Sequence, residues 1–336
     1  MATRAQEGRV AGGVARAGEP GPESKGALQV SRGRLEASLA ALRAEVRDPR
    51  AGVFGPDSVT WRVTREAALL LGGGRAALLQ LAHPCVASAV ARFSIARRDP
   101  VGRFRGTFRH MFRLVFGDLQ EAQESARAIH RVHERIGGDL AEDAGGFRKG
   151  QRYRATDVEA QVWVLAVLRD TSRLVYERIF GPLPARDLER IAAEGRRMAM
   201  LFGIEDAVPS STDEHRAYFE GKLETLAVTH EAAELGRRLL RLEKVPGGSL
   251  ARGDVGLLTA HLLPEPVARG YGLDRGGAAG ERRVERIFAL ARAVVPRLPA
   301  RVRFVPAYGE AVRRMEGHTE RDRIGEWMSA LYASAR

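Results

Sequence analysis

Along this 336-residue chain, apolar residues recur at steps of three and four and almost never alternate. That spacing is the side-chain period of an α-helix, and strict alternation would be the period of a strand. Ala, Leu, Arg and Glu dominate the composition, and all four are strong helix formers. Aromatic residues make up only 6%, so little favours sheet. The fold class expected is therefore all-α, as a single helical domain over residues 33–336 behind a disordered tail at 1–32. The tail is rich in Gly, Pro, Arg and Glu and has few large apolar groups to bury.

The stretch from Leu70 to Gly138 concentrates the unusual residues. It holds four of the eight histidines (His83, His110, His130, His133) and the single cysteine, Cys85. Gly72-Gly73-Gly74 interrupts a helical pattern without a preceding strand or a following Gly-Lys-Ser, which excludes a phosphate-binding loop. The three glycines instead predict a bend with close helix–helix or helix–ligand approach. Pro84 marks a helix end or kink. A helix is expected over about 119–136, with Ala122, Ala126, Ile129, His133 and Ile136 on one face. His133 then lies in the apolar stripe and His130 at its edge. Gly137-Gly138 reads as the helix stop. Further helices are expected at 34–47, 157–180, 185–202, 213–242 and 281–296, with a last one starting near 306.

The net charge is +12, carried almost entirely by arginine. The arginines are dispersed and most have acidic neighbours, so the charge reads as compositional bias more readily than as a docking surface. No aromatic-interleaved basic stripe or zinc-ligand spacing points to nucleic acid. Cys85 stands alone in an apolar run, which excludes an internal disulfide framework. No apolar run reaches membrane-spanning length, and no secretory h-region follows the basic N-terminal residues. The cytoplasm is the expected location, and peripheral membrane contact and oligomeric state stay open.

Few constellations carry chemistry. No Gly-X-Ser-X-Gly elbow occurs. Glu214-His215 and His230-Glu231 are adjacent pairs, the wrong spacing for a di-iron bundle. One histidine on a helix can hold haem iron by a single axial bond, given an apolar pocket and arginines for the propionates. On residues alone, a hydrogen-bonded core histidine remains the stronger reading of His133.

A wider pattern alters that balance. GGGRAALLQLAHP at 72–84, DPVGRFRGT at 99–107, His133 with Ile136 and Gly138, and YRATD at 153–157 leading to Trp163-Val164 occur in order. Gly203-Ile204, Pro209 and EHRAYF at 214–219 follow, then LLP at 262–264, GYGL at 270–273 and RFVPAY at 303–308. In this order and spacing the chain resembles the oxygenase family that includes rubber oxygenase (latex-clearing protein) and the MpaB-type oxygenases.

The resemblance implies a globin-like helical core holding one haem b. It also implies dioxygen chemistry on a hydrophobic, unsaturated or prenyl-like small molecule. By the same resemblance His133 is the proximal iron ligand, and Arg103 and Thr107 stand on the distal, catalytic side. Gln80, His83 and Pro84 line the cofactor pocket. Two positions depart from the family. Gly106 stands where a lysine can precede the threonine, and Leu165 stands where a histidine commonly follows the Trp-Val pair. The competing expectations are a haem carrier or sensor without turnover, and a cofactor-free helical interaction protein.

Overall fold

The computed structural model describes residues 28–93, 109–240 and 252–318. The described chain is all-α apart from one short hairpin. Leu28–Val30 run extended beside the start of the longest helix: the Val30 N–H donates to Thr156 O at 2.9 Å and its side chain is buried. Ser31 then caps α1 (Arg32–Glu45) by accepting from the Arg34 N–H. A turn at 53–57 leads to Ser58, which caps α2 (Val59–Thr64) through the Trp61 N–H. A 3₁₀ turn over Ala67–Gly72 connects to α3 (Gly73–Leu81). Pro84 opens α4 (Pro84–Phe93), where its missing N–H costs nothing.

The triple glycine acts through close approach. A Cβ on Gly72 would come within 2.6 Å of Thr171 Cγ2, and one on Gly74 within 2.1 Å of Thr259 Oγ1. Only glycine leaves room for these threonine side chains against the backbone at 72 and 74. After α5, the helical residues 109–116, a capping box at Asp118 and Glu121 starts α6 (Leu119–His133).

α7 (Val158–Phe180) is the centre of the molecule. It carries apolar residues on most sides, the pattern of a core helix. Val162 packs into one apolar cluster with Leu35, Trp61, Phe116 and Ala126. Trp163, Ala166 and Val167 join Leu78, Leu79 and Tyr271 in a second cluster. Val175 and Ile179 meet Leu258 and Phe288 in a third. Buried aromatic donors are satisfied by main chain: Trp61 Nε1 donates to Val115 O, Trp163 Nε1 to Leu79 O and the Tyr271 hydroxyl to Leu78 O, all within 3.0 Å. Around α7 stand α8 (Ala185–Met200), α9 (Thr212–Thr225), α10 (His230–Leu240), α11 (Arg252–Leu262), α12 (Glu265–Gly270) and α13 (Gly277–Val294). The short α14 (Ala300–Arg303) and α15 (Pro306–Met315) complete the described chain.

Three expectations differ from this architecture. Gly137 and Gly138 do not form a left-handed cap. They lie in β1 (Gly137–Asp139), which pairs antiparallel with β2 (Arg152–Arg154), Gly138 opposite Tyr153. A helix expected over 213–242 is two helices, because the main chain turns at 226–229 and Thr229 starts α10 by accepting from the Ala232 N–H. The stretch before Leu262, which is outside the expected helices, forms α11. Among the described residues, no helix is long and apolar enough to cross a membrane.

Candidate functional site

α6 presents Ala122 and Ala126 to the first apolar cluster, with Ile129 packed at its margin. His133, the last residue of that helix and in register with them, is half-buried. His130 is the more enclosed of the pair, only 7% exposed, with Nε2 3.4 Å from Glu134 Oε1. The helix thus turns His130 inward beside the Arg127–Glu36 ion pair. Arg103, Gly106 and Thr107 lie outside the described residues.

Gln80 is half-buried, and its carbonyl accepts from the His83 N–H. His83 and Pro84, at the α3–α4 junction, are buried in a separate knot. His83 Nε2 lies 2.8 Å from Glu159 Oε2, and its ring packs 4.8 Å from that of Phe147. Lys222 of α9 forms an ion pair with the same Glu159 and sits 5.4 Å over the Phe147 ring. Burial, and then the Lys222 charge, push the His83 pKa down to about 3. The imidazole is therefore neutral at pH 7, and Nε2–H donates to the carboxylate. Cys85 lies nearby, its thiol pushed up to about 12 by burial, which makes it inert as a nucleophile.

A different set of side chains surrounds an apolar cavity of about 240 Å³. It lies between the Ala67–Gly72 turn, α5, α7 and α8. Met111, Phe112 and Val115 form one wall, and Val162, Leu165 and Arg169 of α7 form another. Neither His133 nor His83 is among its described lining residues. Two acidic residues in the wall are already engaged. Glu66 accepts from Nε and Nη2 of Arg303, both at 2.8 Å, and Glu194 accepts from the Val59 N–H, the Thr60 N–H and the Thr60 hydroxyl. Arg173, also in the wall, is bridged to Asp170 and Glu177.

Arg169 differs from these. No carboxylate of the described residues lies within ion-pair distance of it. Burial, and then neighbouring Arg173, lower its pKa. His215 of α9 completes this end of the cavity. It is 6% exposed, and its Nε2 has no partner among the described residues. Burial, and then the Arg169 charge, push its pKa down to about 4, so it is neutral at pH 7. Sequence reasoning passed over both residues. The signal for Arg169 was a charge on the face that also carries Val162 and Leu165, seven and four residues before it on an otherwise apolar helix. His215 was visible only as half of an unproductive Glu-His pair.

The catalytic-domain profile described as ER-bound oxygenase mpaB/B'/Rubber oxygenase matches residues 61–294, more than half of the chain. The chain belongs to this oxygenase family. No curated protein and no solved structure matches it. The matched span of this oxygenase domain runs from Trp61 to the end of α13, and so takes in α6, both histidine environments and nearly all the cavity wall. Leu165, where the resemblance leads one to expect histidine, is in that wall and makes it more apolar. Among the described residues, no three His, Cys, Asp or Glu side chains converge as a metal-ion site.

The donors present suit haem. A porphyrin brings four of the iron's ligands itself, so one imidazole suffices. His133 is the candidate, half-buried at the end of α6 and four residues after Ile129, which packs on the cluster that Met111, Phe112 and Leu165 of the cavity wall also touch.

Proposed function

We propose that this chain is a haem b-dependent oxygenase acting on a hydrophobic, unsaturated or prenyl-like small molecule. The observation that carries the reading is the apolar cavity against α7, inside a chain that belongs to an oxygenase catalytic-domain family. When bound, haem would supply the iron that engages dioxygen, chemistry that no protein side chain provides. His133 is the residue assigned to hold it from the proximal side. Arg103 and Thr107 are assigned to the distal side, where a guanidinium and a hydroxyl would donate to charge developing on oxygen. Gly106, between them, carries no side chain to close that side.

The chain's own part is mostly binding and exclusion. Met111, Phe112, Val162 and Leu165 present apolar groups to the cavity and leave little there to hold water. A hydrophobic substrate gains by leaving water for such walls. Gln80, His83 and Pro84 are assigned a supporting role. The part-buried His83–Glu159 hydrogen bond ties the α3–α4 junction to the N-terminal end of α7, whose later turns form the cavity wall.

Absorption spectra of the protein purified from cells with ample haem supply test the reading. A Soret band is expected, and His133→Ala is expected to lose most of the bound haem. A colourless wild-type protein would sink the haem assignment. Full haem content with an unchanged spectrum in His133→Ala would sink the ligand assignment. Oxygen uptake on adding prenyl alkenes separates an oxygenase from a carrier, which consumes none.

A further inference from the structure

Within the apolar cavity one feature is not explained by a hydrocarbon substrate. Arg169 projects from the middle of α7 into a wall that is otherwise apolar or internally paired. Its chain neighbour Asp170 points about 100° away around the helix and is taken up by Arg75 at 2.6 Å. Glu66 and Glu194, the carboxylates of the wall, are saturated by Arg303 and by the start of α2. On the α8 side the guanidinium faces Gly195, where even an added Cβ would stay 3.8 Å from Nη1. His215 stands at the same end, enclosed, with Nε2 lacking any partner among the described residues. A guanidinium and an imidazole edge without partners among the described residues, at one end of an apolar cavity, form an incomplete polar set. Each such group carries a desolvation penalty that a ligand acceptor would relieve.

We propose that the cavity takes an amphiphile with an apolar body and a terminal carboxylate, the acid group seated on Arg169 with His215 beside it. The body lies against Met111, Phe112, Val162 and Leu165. A guanidinium fork matches a carboxylate in two parallel hydrogen bonds, whereas an alcohol or an alkene offers it little. The assignment names the substrate class for the oxygenase reading and rests on it to that extent: the substrate is an unsaturated apolar acid, not a neutral hydrocarbon.

Calorimetric titration of the full chain with dodecanoic acid and with dodecan-1-ol tests this, in haem-free and haem-loaded protein. The acid is expected to bind about tenfold or more tighter than the alcohol in both. Arg169→Met should abolish that preference by weakening the acid alone, and Arg169→Lys should keep part of it. Equal affinity of the wild-type protein for acid and alcohol overturns the proposal without recourse to any variant. So does an acid preference that survives Arg169→Met. A haem propionate is the other source of the same chemistry. If Arg169→Met weakens retention of haem but not of haem dimethyl ester, and the acid preference vanishes once haem is loaded, the guanidinium belongs to the cofactor and the proposal fails. The two readings fail separately. A colourless protein that still prefers the acid loses only the haem, and a haem protein indifferent to the acid loses only this ligand.

Discussion

Two arginines lie at α7, Arg75 reaching it from α3 and Arg169 standing on it, and the contrast between them separates structure from function. Arg75, in the glycine-rich stretch, is 3% exposed and fully engaged. Its Nε donates to Leu262 O at 2.8 Å, one terminal nitrogen pairs with Asp170 at 2.6 Å, and the other bonds the Thr171 hydroxyl. It ties α3, α7 and α11 together. Arg169, one residue from Asp170, is half-buried and has no carboxylate of the described residues to hold. Burial lowers the pKa of both guanidinium groups, but only for Arg75 does Asp170 offset this through a hydrogen bond. The two histidines repeat the contrast. His83 and Lys222 converge on Glu159, whereas His215 and Arg169 share a cavity end with no carboxylate of the described residues between them. A closed set of charges is a joint of the fold. An open set at an apolar cavity is a place for a ligand's charge.

The largest expected effect follows from breaking the closed set. Arg75→Met leaves Asp170 half-paired and Leu262 O and Thr171 without their donor, and should cost about 3–5 kcal/mol of unfolding free energy. Urea denaturation measures it, and a loss below about 1 kcal/mol would remove Arg75 from the list of joints.

A smaller effect comes from acidification. His83 and His215 have folded pKa values of about 3 and about 4, below the ordinary 6.5, chiefly through burial. Below 6.5 the unfolded chain takes up protons that the folded chain refuses, so stability falls as pH falls from 6.5 towards 4. The upper bound is about 1.4 kcal/mol per pH unit for each histidine. The urea midpoint should therefore drop between pH 6.5 and 4.5. His215→Asn should flatten part of that slope while leaving the part due to His83. An identical slope in the variant would show that His215 is solvated.

The smallest effect sharpens the comparison most. Arg169→Met removes a cation that makes no described ion pair and adds apolar surface to an apolar wall. Unfolding free energy should stay within about 1 kcal/mol of wild type, in either direction. A loss as large as that of Arg75→Met would mean Arg169 is a joint after all.

Much of the fold was legible in the sequence because helical periodicity and capping are local. Ser58 before Trp61, Asp118 with Glu121, and Gly181 after Phe180 each mark a helix boundary through hydrogen bonds or backbone freedom within a few residues. The β1–β2 hairpin was not legible. Its strands are three residues each and carry no alternation long enough to read, and Gly137-Gly138 serves a helix stop and a strand equally well. The division of 213–242 was hidden for a related reason: Leu226, Ala227 and Val228 continue the apolar content through the break at 226–229, and no Gly or Pro marks it.

The site divides along the same line. Residue types and their order were enough to identify the oxygenase family and to single out His133, because those signals lie in the chain itself. They could not tell which polar residues would find partners. Arg75 and Arg169 read alike as arginines in apolar helical runs. Only the packing of α3, α8, α9 and α11 around α7 gives one of them a carboxylate, a hydroxyl and a carbonyl, and gives the other a cavity. Pairing depends on which distant segments meet. In the Leu70–Gly138 stretch the sequence marked the helices, the close approach of the glycines and the candidate iron ligand. The tertiary structure decided which buried charges were closed and which were left open to a ligand.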